Sequence, residues 1–367
     1  MKRLYQQYLL PGVIFQSVLI GGAYATGREI VEYGAKFGGF GLWSVAAIGI
    51  GFALMTAICY EFVRVTGAFD YRSLVRELIG PAWPLFDVLY VAMAVVVIAV
   101  VSAATGSVGE RVLGMPYWLG VGLVILLVGI INARGRATIE AFKTVGSALL
   151  YLGYAGFAWM VLSRSGPAIG RVLVSGDSSY VTDASLGTVL GTGLLYVGYN
   201  LAGLPSTLFA LDRHTSRRQA IGAGLITGLL STIPFVLTFL AVLAFYPDPA
   251  VLGAEVPWLE MLERTGGRGL IVFYALVVVW TLVETSVGMI HALIDRISVN
   301  RVESGGAVLT PRAAGLISVG LLASAAMLSQ LGIIALVAQG YTLMAYGFLA
   351  LFALPLLTVG VARIYRA

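Results

Sequence analysis

One short stretch interrupts the first apolar segment of this chain: Gly21-Gly22-Ala23-Tyr24-Ala25-Thr26-Gly27, which is followed by Arg28 and Glu29. Glycines and charges are unusual in the middle of a spanning helix. Backbone that leaves helical hydrogen bonding at membrane depth must be buried in protein or line an aqueous cavity. A half-helix that ends in such a cavity offers a site for an ion or a substrate. The break therefore predicts a transport protein.

The composition predicts a membrane protein. Of the 367 residues, 59% are hydrophobic and 11% are charged, and the mean hydropathy is +0.92. These values lie far from soluble-protein usage, and repeated apolar stretches of about 20 residues predict an all-α, polytopic protein in a lipid bilayer. The basic residues are spread over short loops, which indicates membrane orientation and not nucleic-acid binding. The single cysteine, Cys59, excludes an internal disulfide and a paired-cysteine metal site.

We predict ten spans, separated by turns that contain glycine and proline. Their predicted bounds are 9–33, 40–64, 83–108, 116–133, 138–162, 186–211, 217–245, 268–294, 312–330 and 333–362. With an inner N-terminus, sixteen of the 23 Lys and Arg residues fall on the inner side and seven on the outer side. Both termini are therefore expected in the cytoplasm. His214 lies in a basic inner segment and is expected to be solvated.

Further helix-breaking signals lie five spans later. Gly198 to Asn200 predict the end of one half-helix, and Pro205 predicts the start of another. In span one, Thr26 and Glu29 match a capping box, in which Glu29 either only caps the helix or also touches a ligand.

Breaks at matching positions in spans one and six predict two five-span halves of inverted topology. These halves are 1–163 and 186–367, joined by the external segment 164–185. The alternative is that the glycines only allow close helix packing, as expected of Gly224 and Gly228 in span seven.

A second external segment, 246–267, contains the short amphipathic stretch 257–263. Such a stretch either lies across an outer vestibule as a lid or rests on the membrane surface.

The motifs resemble those of the YkvI-like bacterial membrane proteins, in the amino acid–polyamine–organocation superfamily with the LeuT fold. Residues 21–30 are similar to the GAGFATGQEI stretch of that family, although Tyr24 and Arg28 replace its Phe and Gln. Residues 109–120 and 196–200 add to the resemblance. It implies the LeuT fold, with ten helices in a 5+5 inverted repeat and discontinuous helices 1 and 6. It also implies transport across a bacterial plasma membrane.

The predicted substrate site lies at the two breaks. Amides at the start of the outer half-helix favour an anionic group, and carbonyls at the end of the inner one favour a cation, so a zwitterionic amino acid suits both. An amine would need a carboxylate nearby. The predicted contacts are Gly21, Gly22, Ala23, Tyr24, Ala25, Thr26, Tyr196, Tyr199 and Asn200.

Two coupling sites compete. The LeuT resemblance implies a Na⁺ site made by hydroxyls of Thr285 and Ser286 and by the span-one carbonyls of Ser17 and Ile20. Lys143 is the rival, because in some proton-coupled relatives a lysine there replaces the sodium ion; its alternative role is to snorkel to the inner surface.

Glu284 is an ionisable residue within span eight, which is a functional hypothesis by default. It could take a proton, pair with a substrate cation, or pair with Lys143 for structure alone.

We therefore predict a cation-coupled secondary transporter of a small amino acid or related zwitterion, with alternating access. Transport of an organic amine is the near alternative, and a channel is a further one. The sequence contains no P-loop, Cys/His cluster or catalytic triad, so we expect neither an enzyme nor a cofactor beyond Na⁺ or H⁺. The expected partners are a small-molecule substrate and the bilayer; the oligomeric state stays open.

Overall fold

The computed structural model describes residues 4–134, 136–303, 305–307 and 309–366, and over these ranges it is helical without any strand. Its first half contains the α-helices α1 (Leu10–Leu19), α2 (Arg28–Tyr33), α3 (Leu42–Thr66), α4 (Tyr71–Ile79), α5 (Trp83–Leu113), α6 (Tyr117–Arg134) and α7 (Arg136–Ser175). Helix α7 continues to Ser175, beyond the predicted span end at residue 162.

The second half is also helical. It contains α8 (Leu186–Asn200), α9 (Arg217–Leu243), α10 (Pro249–Leu252), α11 (Pro257–Thr265), α12 (Arg268–Glu303), α13 (Pro311–Leu328), α14 (Gly332–Ala335), α15 (Thr342–Phe348) and α16 (Val361–Arg366). Short stretches of 3₁₀- and π-helix, three to ten residues long, join several of these helices into longer rods.

Six helical segments in the described residues are long and apolar enough to cross a membrane. They are Ala35–Thr66, Tyr71–Leu113, Tyr117–Arg134, Arg217–Leu243, Arg268–Ser298 and Arg312–Arg366. The last contains Gly332 at φ +78°, where the sequence predicts the turn between the final two spans. A multi-pass membrane protein is therefore confirmed, and the count of ten spans stays a prediction.

The break in span one is present. Helix α1 ends at Leu19, Gly21 is extended (φ −93°, ψ −177°), and Gly22–Thr26 form a 3₁₀ turn before α2 begins at Arg28. The capping box predicted for this restart is wrong. Gly27 is the N-cap, in the left-handed region (φ +84°), where a glycine carries no steric cost.

Span six differs from its prediction. Helix α8 ends at Asn200, as expected, but the chain passes directly into a 3₁₀-helix over Leu201–Ala210, without an extended gap. Pro205 lies inside this 3₁₀-helix and does not start a new one. Gly198 lies within α8, where an added Cβ would sit 2.9 Å from Leu349 and 3.2 Å from the carbonyl of Ala345. Its absent side chain lets span ten pack closely, so helix packing accounts for this glycine.

Close packing of small residues joins α3 to α9. A Cβ added at Gly224 would lie 2.4 Å from Ala57 Cα, and one added at Gly228 would lie 2.5 Å from Ala53 Cα. The Thr56 hydroxyl also donates to the Gly224 carbonyl at 2.7 Å. The packing role predicted for these two glycines is confirmed.

The predicted solvation of His214 is wrong. Its side chain is buried, with Nε2 2.7 Å from the Gln7 carbonyl and Nδ1 3.1 Å from the Leu211 carbonyl. The turn after the 3₁₀-helix folds the ring back onto the N-terminal segment, a contact that local charge does not reveal.

Candidate functional site at the break in span one

Helix α12 packs directly against the break. A Cβ added at Gly21 would lie 2.2 Å from the hydroxyl oxygen of Thr285, so no side chain larger than hydrogen fits without a shift. About three helical turns nearer the N-terminus of α12, the Tyr274 hydroxyl donates to the carbonyl of Ala25 at 3.1 Å. Span eight therefore contacts the break at both its ends.

Glu29 joins the break to span six. The Tyr199 hydroxyl donates to Oε2 of Glu29 at 2.6 Å, and the two residues are 3% and 2% exposed. The carboxylate is also within hydrogen-bonding reach of the backbone amide of Tyr24. We expected Tyr199 at the break, but the sequence did not reveal that Glu29 is its partner. The available signal was a carboxylate in a membrane segment, which is functional by default.

Tyrosine rings surround this carboxylate. Tyr33, Tyr196 and Tyr199 contact one another with ring centroids 5.4–5.7 Å apart, and Tyr341 of span ten lies 4.8 Å from Tyr199. The Tyr33 hydroxyl donates to the carbonyl of Val337 at 3.1 Å. All four rings are buried. Spans one, six and ten thus meet at a single aromatic cluster.

The amphipathic stretch 257–263 covers the break. The Trp258 indole of α11 is fully buried and donates to the Tyr154 hydroxyl at 2.7 Å. The Tyr154 ring packs 5.8 Å from that of Tyr24, and a Cβ added at Gly27 would lie 3.0 Å from Trp258. The apolar face of α11 is therefore packed into the protein, so the surface-lying alternative is wrong. Residues 246–267, which contain α11, are called the lid below.

Ion pairs and carbonyl contacts hold this lid at its rim. Arg111 of span three lies 2.5 Å from Glu260 and 2.9 Å from Glu263, both on α11. Within the loop, Arg264 pairs with Asp248, and its hydrogen bond holds the pKa of that carboxyl below the usual value. The pair is therefore charged at neutral pH and is lost only as the pH falls through that lowered value.

Arg28, which stands where the similar family stretch has Gln, also binds the lid. Its guanidinium donates to the carbonyls of Leu252 and Ala254 at 2.7 and 3.2 Å, and it pairs with Glu32 at 3.2 Å. Lys36 pairs with the same glutamate. The positive charge therefore binds the loop, and does not face the substrate contacts predicted at residues 21–26.

The other predicted contacts have separate positions. The Asn200 amide donates to the Tyr196 carbonyl, in its own helix, at 2.8 Å. Thr26 is buried, and its hydroxyl accepts from the Arg28 amide at 3.2 Å. The Ala23 side chain lies outside the described residues, whereas the backbone of Gly22 and Ala23 belongs to the 3₁₀ turn.

The predicted coupling residues are only partly together. Thr285 lies against Gly21, and its hydroxyl donates to the Thr281 carbonyl at 3.0 Å. Ile20 is buried at the end of α1, while the side chain of Ser17 is exposed. The Ser286 hydroxyl is buried and makes no hydrogen bond within the described part of the chain.

The ionisable coupling candidates are placed by their helices. Glu284 is half-buried on α12. Lys143 belongs to α7, but its side chain lies outside the described residues. Among the residues that the structure describes, no group of three or more His, Cys, Asp or Glu could hold a metal ion.

A second closure lies at the opposite ends of the helices, near the C-terminus of α12. The Arg296 guanidinium of α12 sits over the rings of Tyr71 and Tyr90, at 4.1 and 4.7 Å, and lies 3.4 Å from Asp87. These contacts bind span eight to α4 and span three. The break is thus covered by α11 at one end of the helices, while the Arg296 contacts cross-link their opposite ends.

A broken first span, an aromatic cluster and a packed lid on a multi-pass helical fold define the class as helical membrane proteins with an interrupted span. The fold is similar to that of a Na⁺-coupled sialic acid symporter in a substrate-bound outward-open state. The TM-score is 0.54 at 12% identity, over 95% of this chain and 84% of that one. It is also similar to a variant of the Eremococcus coleocola manganese transporter, with TM-score 0.52 and 14% identity, over 97% of this chain and 86% of that one. Both of these proteins are transporters, and the likenesses show the fold of this chain.

A bacterial relative is similar in sequence. The chain is 25% identical over 286 residues to the uncharacterized membrane protein YkvI of Bacillus subtilis (strain 168), which covers 76% of this chain and 78% of the relative. The resemblance to YkvI-like proteins is therefore confirmed. No protein-family model matches the chain.

Proposed function

We propose that this protein is a cation-coupled secondary transporter that binds a small amino compound at the break in span one. The observation that carries the proposal is the burial of this break beneath a packed lid, with span six and span eight in contact with it. Backbone without regular helical bonding at such a position is tolerated only where it is enclosed by protein or lines a cavity.

The proposed architecture is the LeuT fold, with ten spans in two inverted halves, 1–163 and 186–367, and an external connection at 164–185. Spans one, two, six and seven form a bundle that moves against the remainder. The tight glycine contacts between α3 and α9, which are spans two and seven, support a bundle that moves as one body. Both termini lie in the cytoplasm of a bacterial cell.

The first candidate for the cargo is a small amino acid or related zwitterion, because amides and carbonyls at a helix break suit both of its charges. An organic amine is the second candidate, and the buried Glu29 carboxylate favours it. A channel is a weaker alternative, since a lid packed over a central site suits a saturable carrier.

The proposed coupling ion is Na⁺, held by the Thr285 hydroxyl and by the span-one carbonyls at Ser17 and Ile20, with Ser286 as a further ligand. The contact between Thr285 and Gly21 supports this site, because hydroxyl and carbonyl oxygens suit a hard cation. H⁺ coupling through Lys143 or Glu284 is the rival.

Transport in proteoliposomes tests the coupling. The transported probe is the amino acid or amine that binds the purified protein most tightly. Under an inward Na⁺ gradient, we expect saturable uptake of this probe. In Thr285→Val the uptake should fall at least about tenfold, because one oxygen ligand is replaced by a methyl group. Thr358→Val is the matched control, since Thr358 makes the same type of helix hydrogen bond on an exposed face. Uptake that ignores Na⁺, follows a pH gradient and is lost in Lys143→Met would refute the Na⁺ site and support the proton route. Non-saturating flux would indicate a channel.

A further inference from the structure

Glu29 is a carboxylate without a basic partner in the described part of the chain. The nearest cation in sequence, Arg28, directs its guanidinium to the loop carbonyls and to Glu32. Glu29 itself is 3% exposed and lies at the start of α2. Charges buried at membrane depth are normally paired with opposite charges or with backbone groups. Among the described residues, Glu29 has hydrogen-bond donors but no opposite charge beside it.

The donors around Glu29 are those expected to bind the carboxylate of a substrate. The Tyr199 hydroxyl donates to Glu29 at 2.6 Å, and the Tyr24 amide of the break is within reach. The start of a helix also favours a negative charge through its dipole. In this protein the carboxylate of Glu29 already accepts from these donors. A second carboxylate brought by a substrate would be repelled by Glu29 and would compete with it for these donors.

The aromatic surroundings add a second argument. Tyr33, Tyr196 and Tyr199 form a triangle of rings beside the carboxylate, and Tyr24 and Tyr154 line the side beneath the lid. The Tyr24 hydroxyl is buried next to the hydroxyls of Tyr154 and Thr238 but outside hydrogen-bonding geometry, so no described group pairs with it. Faces of aromatic rings attract organic ammonium groups.

We propose that the cargo is a small organic amine without a carboxylate, and that Glu29 is its counter-ion within the tyrosine cluster. The inference rests on the proposed transport function and narrows its substrate class from amino compounds to cations. On binding, the ammonium group exchanges for the Tyr199 hydroxyl at the carboxylate, and the rings of Tyr33 and Tyr196 cover its methylene groups.

Matched pairs of amino acid and decarboxylated amine test this selectivity on the purified full-length protein. The probes are tyrosine with tyramine, leucine with isoamylamine, and lysine with cadaverine, compared by thermal shift and by equilibrium binding. A ligand that binds only the folded protein raises its apparent melting temperature. We expect at least one amine to stabilise the protein and every amino acid partner to bind at least about tenfold more weakly, because its carboxylate meets Glu29.

Substitution of the carboxylate gives the second arm. Glu29→Gln should weaken amine binding at least about 30-fold, as expected when one member of a buried charge pair is neutralised. Glu29→Asp keeps the charge and should retain the preference for amines with a smaller loss. Glu77→Gln is the matched control, since Glu77 pairs with Arg363 at the protein surface.

The outcomes separate the two proposals. Counterflow driven by amino acids but by none of the amines would leave the transport function standing and overturn this inference. Amine binding with unchanged affinity in Glu29→Gln would also overturn it. If this variant binds amines normally and loses only its response to a pH gradient, Glu29 acts in proton coupling and is not the counter-ion of the cargo. Neither binding nor counterflow with any probe would count against both proposals. The wild-type comparison needs no variant, so a folding failure of Glu29→Gln does not weaken the test.

Discussion

Gly21 shows how one residue determines the shape of the site. Its backbone is extended and accessible to any amino acid (φ −93°, ψ −177°), so the glycine is not required by backbone conformation. It is required by contact, because a Cβ would lie 2.2 Å from Thr285 Oγ1 and 3.0 Å from its Cγ2. A rigid neighbour at this distance must move for any larger side chain to fit.

Gly21→Ala should therefore destabilise the protein by about 1–3 kcal/mol, the usual cost of overpacking. In the double variant with Thr285→Ala, the two closest atoms disappear and only Cβ, at 3.2 Å, remains. We expect part of the stability to return, with a coupling energy of about 0.5–3 kcal/mol, measured by thermal unfolding of all four proteins of the cycle. Additive losses would show that the two side chains do not meet.

At the scale of elements, the lid helix α11 is held by two kinds of contact of different strength. Its apolar face is packed against the break, with Trp258 fully buried, whereas its rim is tied by ion pairs to Arg111, which is 40% exposed. Exposed ion pairs contribute about 0–1 kcal/mol, while truncation of a buried aromatic costs about 3–5 kcal/mol. Packing and not charge should thus keep the lid closed.

Hydrogen exchange of residues 246–267 measures this difference. Trp258→Ala should raise exchange in the lid by at least about 100-fold, and Arg111→Gln by no more than about fivefold. Arg268→Gln, at the exposed start of α12, serves as the control. An Arg111→Gln effect equal to that of Trp258→Ala would show that the rim pairs, and not the packing, govern closure.

At the scale of the molecule, the two closures lie at opposite ends of the helices. Alternating access requires that they open in turn, so weakening one should shift the population towards the state open on that side. The second closure, which is the inner one in the proposed topology, depends on Arg296, which is held by Asp87 and by two tyrosine rings.

Arg296→Ala should favour the inward-open state by about 1–3 kcal/mol, the usual range for coupling between distant sites. We expect faster hydrogen exchange in residues 4–19 and 201–212, while the lid at 246–267 stays protected. Arg301→Ala, an exposed arginine further along α12, should change neither region. Loss of protection in the lid as well would indicate general destabilisation, and would contradict two separate closures.

Local signals predicted much of this protein because they act through the chain near them. Apolar runs alone predict membrane helices. The glycines of residues 21–27 predict the interruption of span one because they lower the cost of leaving the helix. The amphipathic stretch at 257–263 predicts a helix that must bury one face, although it does not say against what.

Contacts between distant residues decided the rest. Glu29 and Tyr199 are 170 residues apart, and no local pattern distinguishes a glutamate that caps a helix from one that binds across to span six. Local sequence likewise predicted a gap in span six, whereas tertiary packing against Leu349 keeps α8 helical through Gly198. A glycine in a helix interior costs only about 1 kcal/mol relative to alanine. The packing free energy of a whole helix exceeds that, so the tertiary structure, and not the local sequence, determines where each break and each charged partner lies.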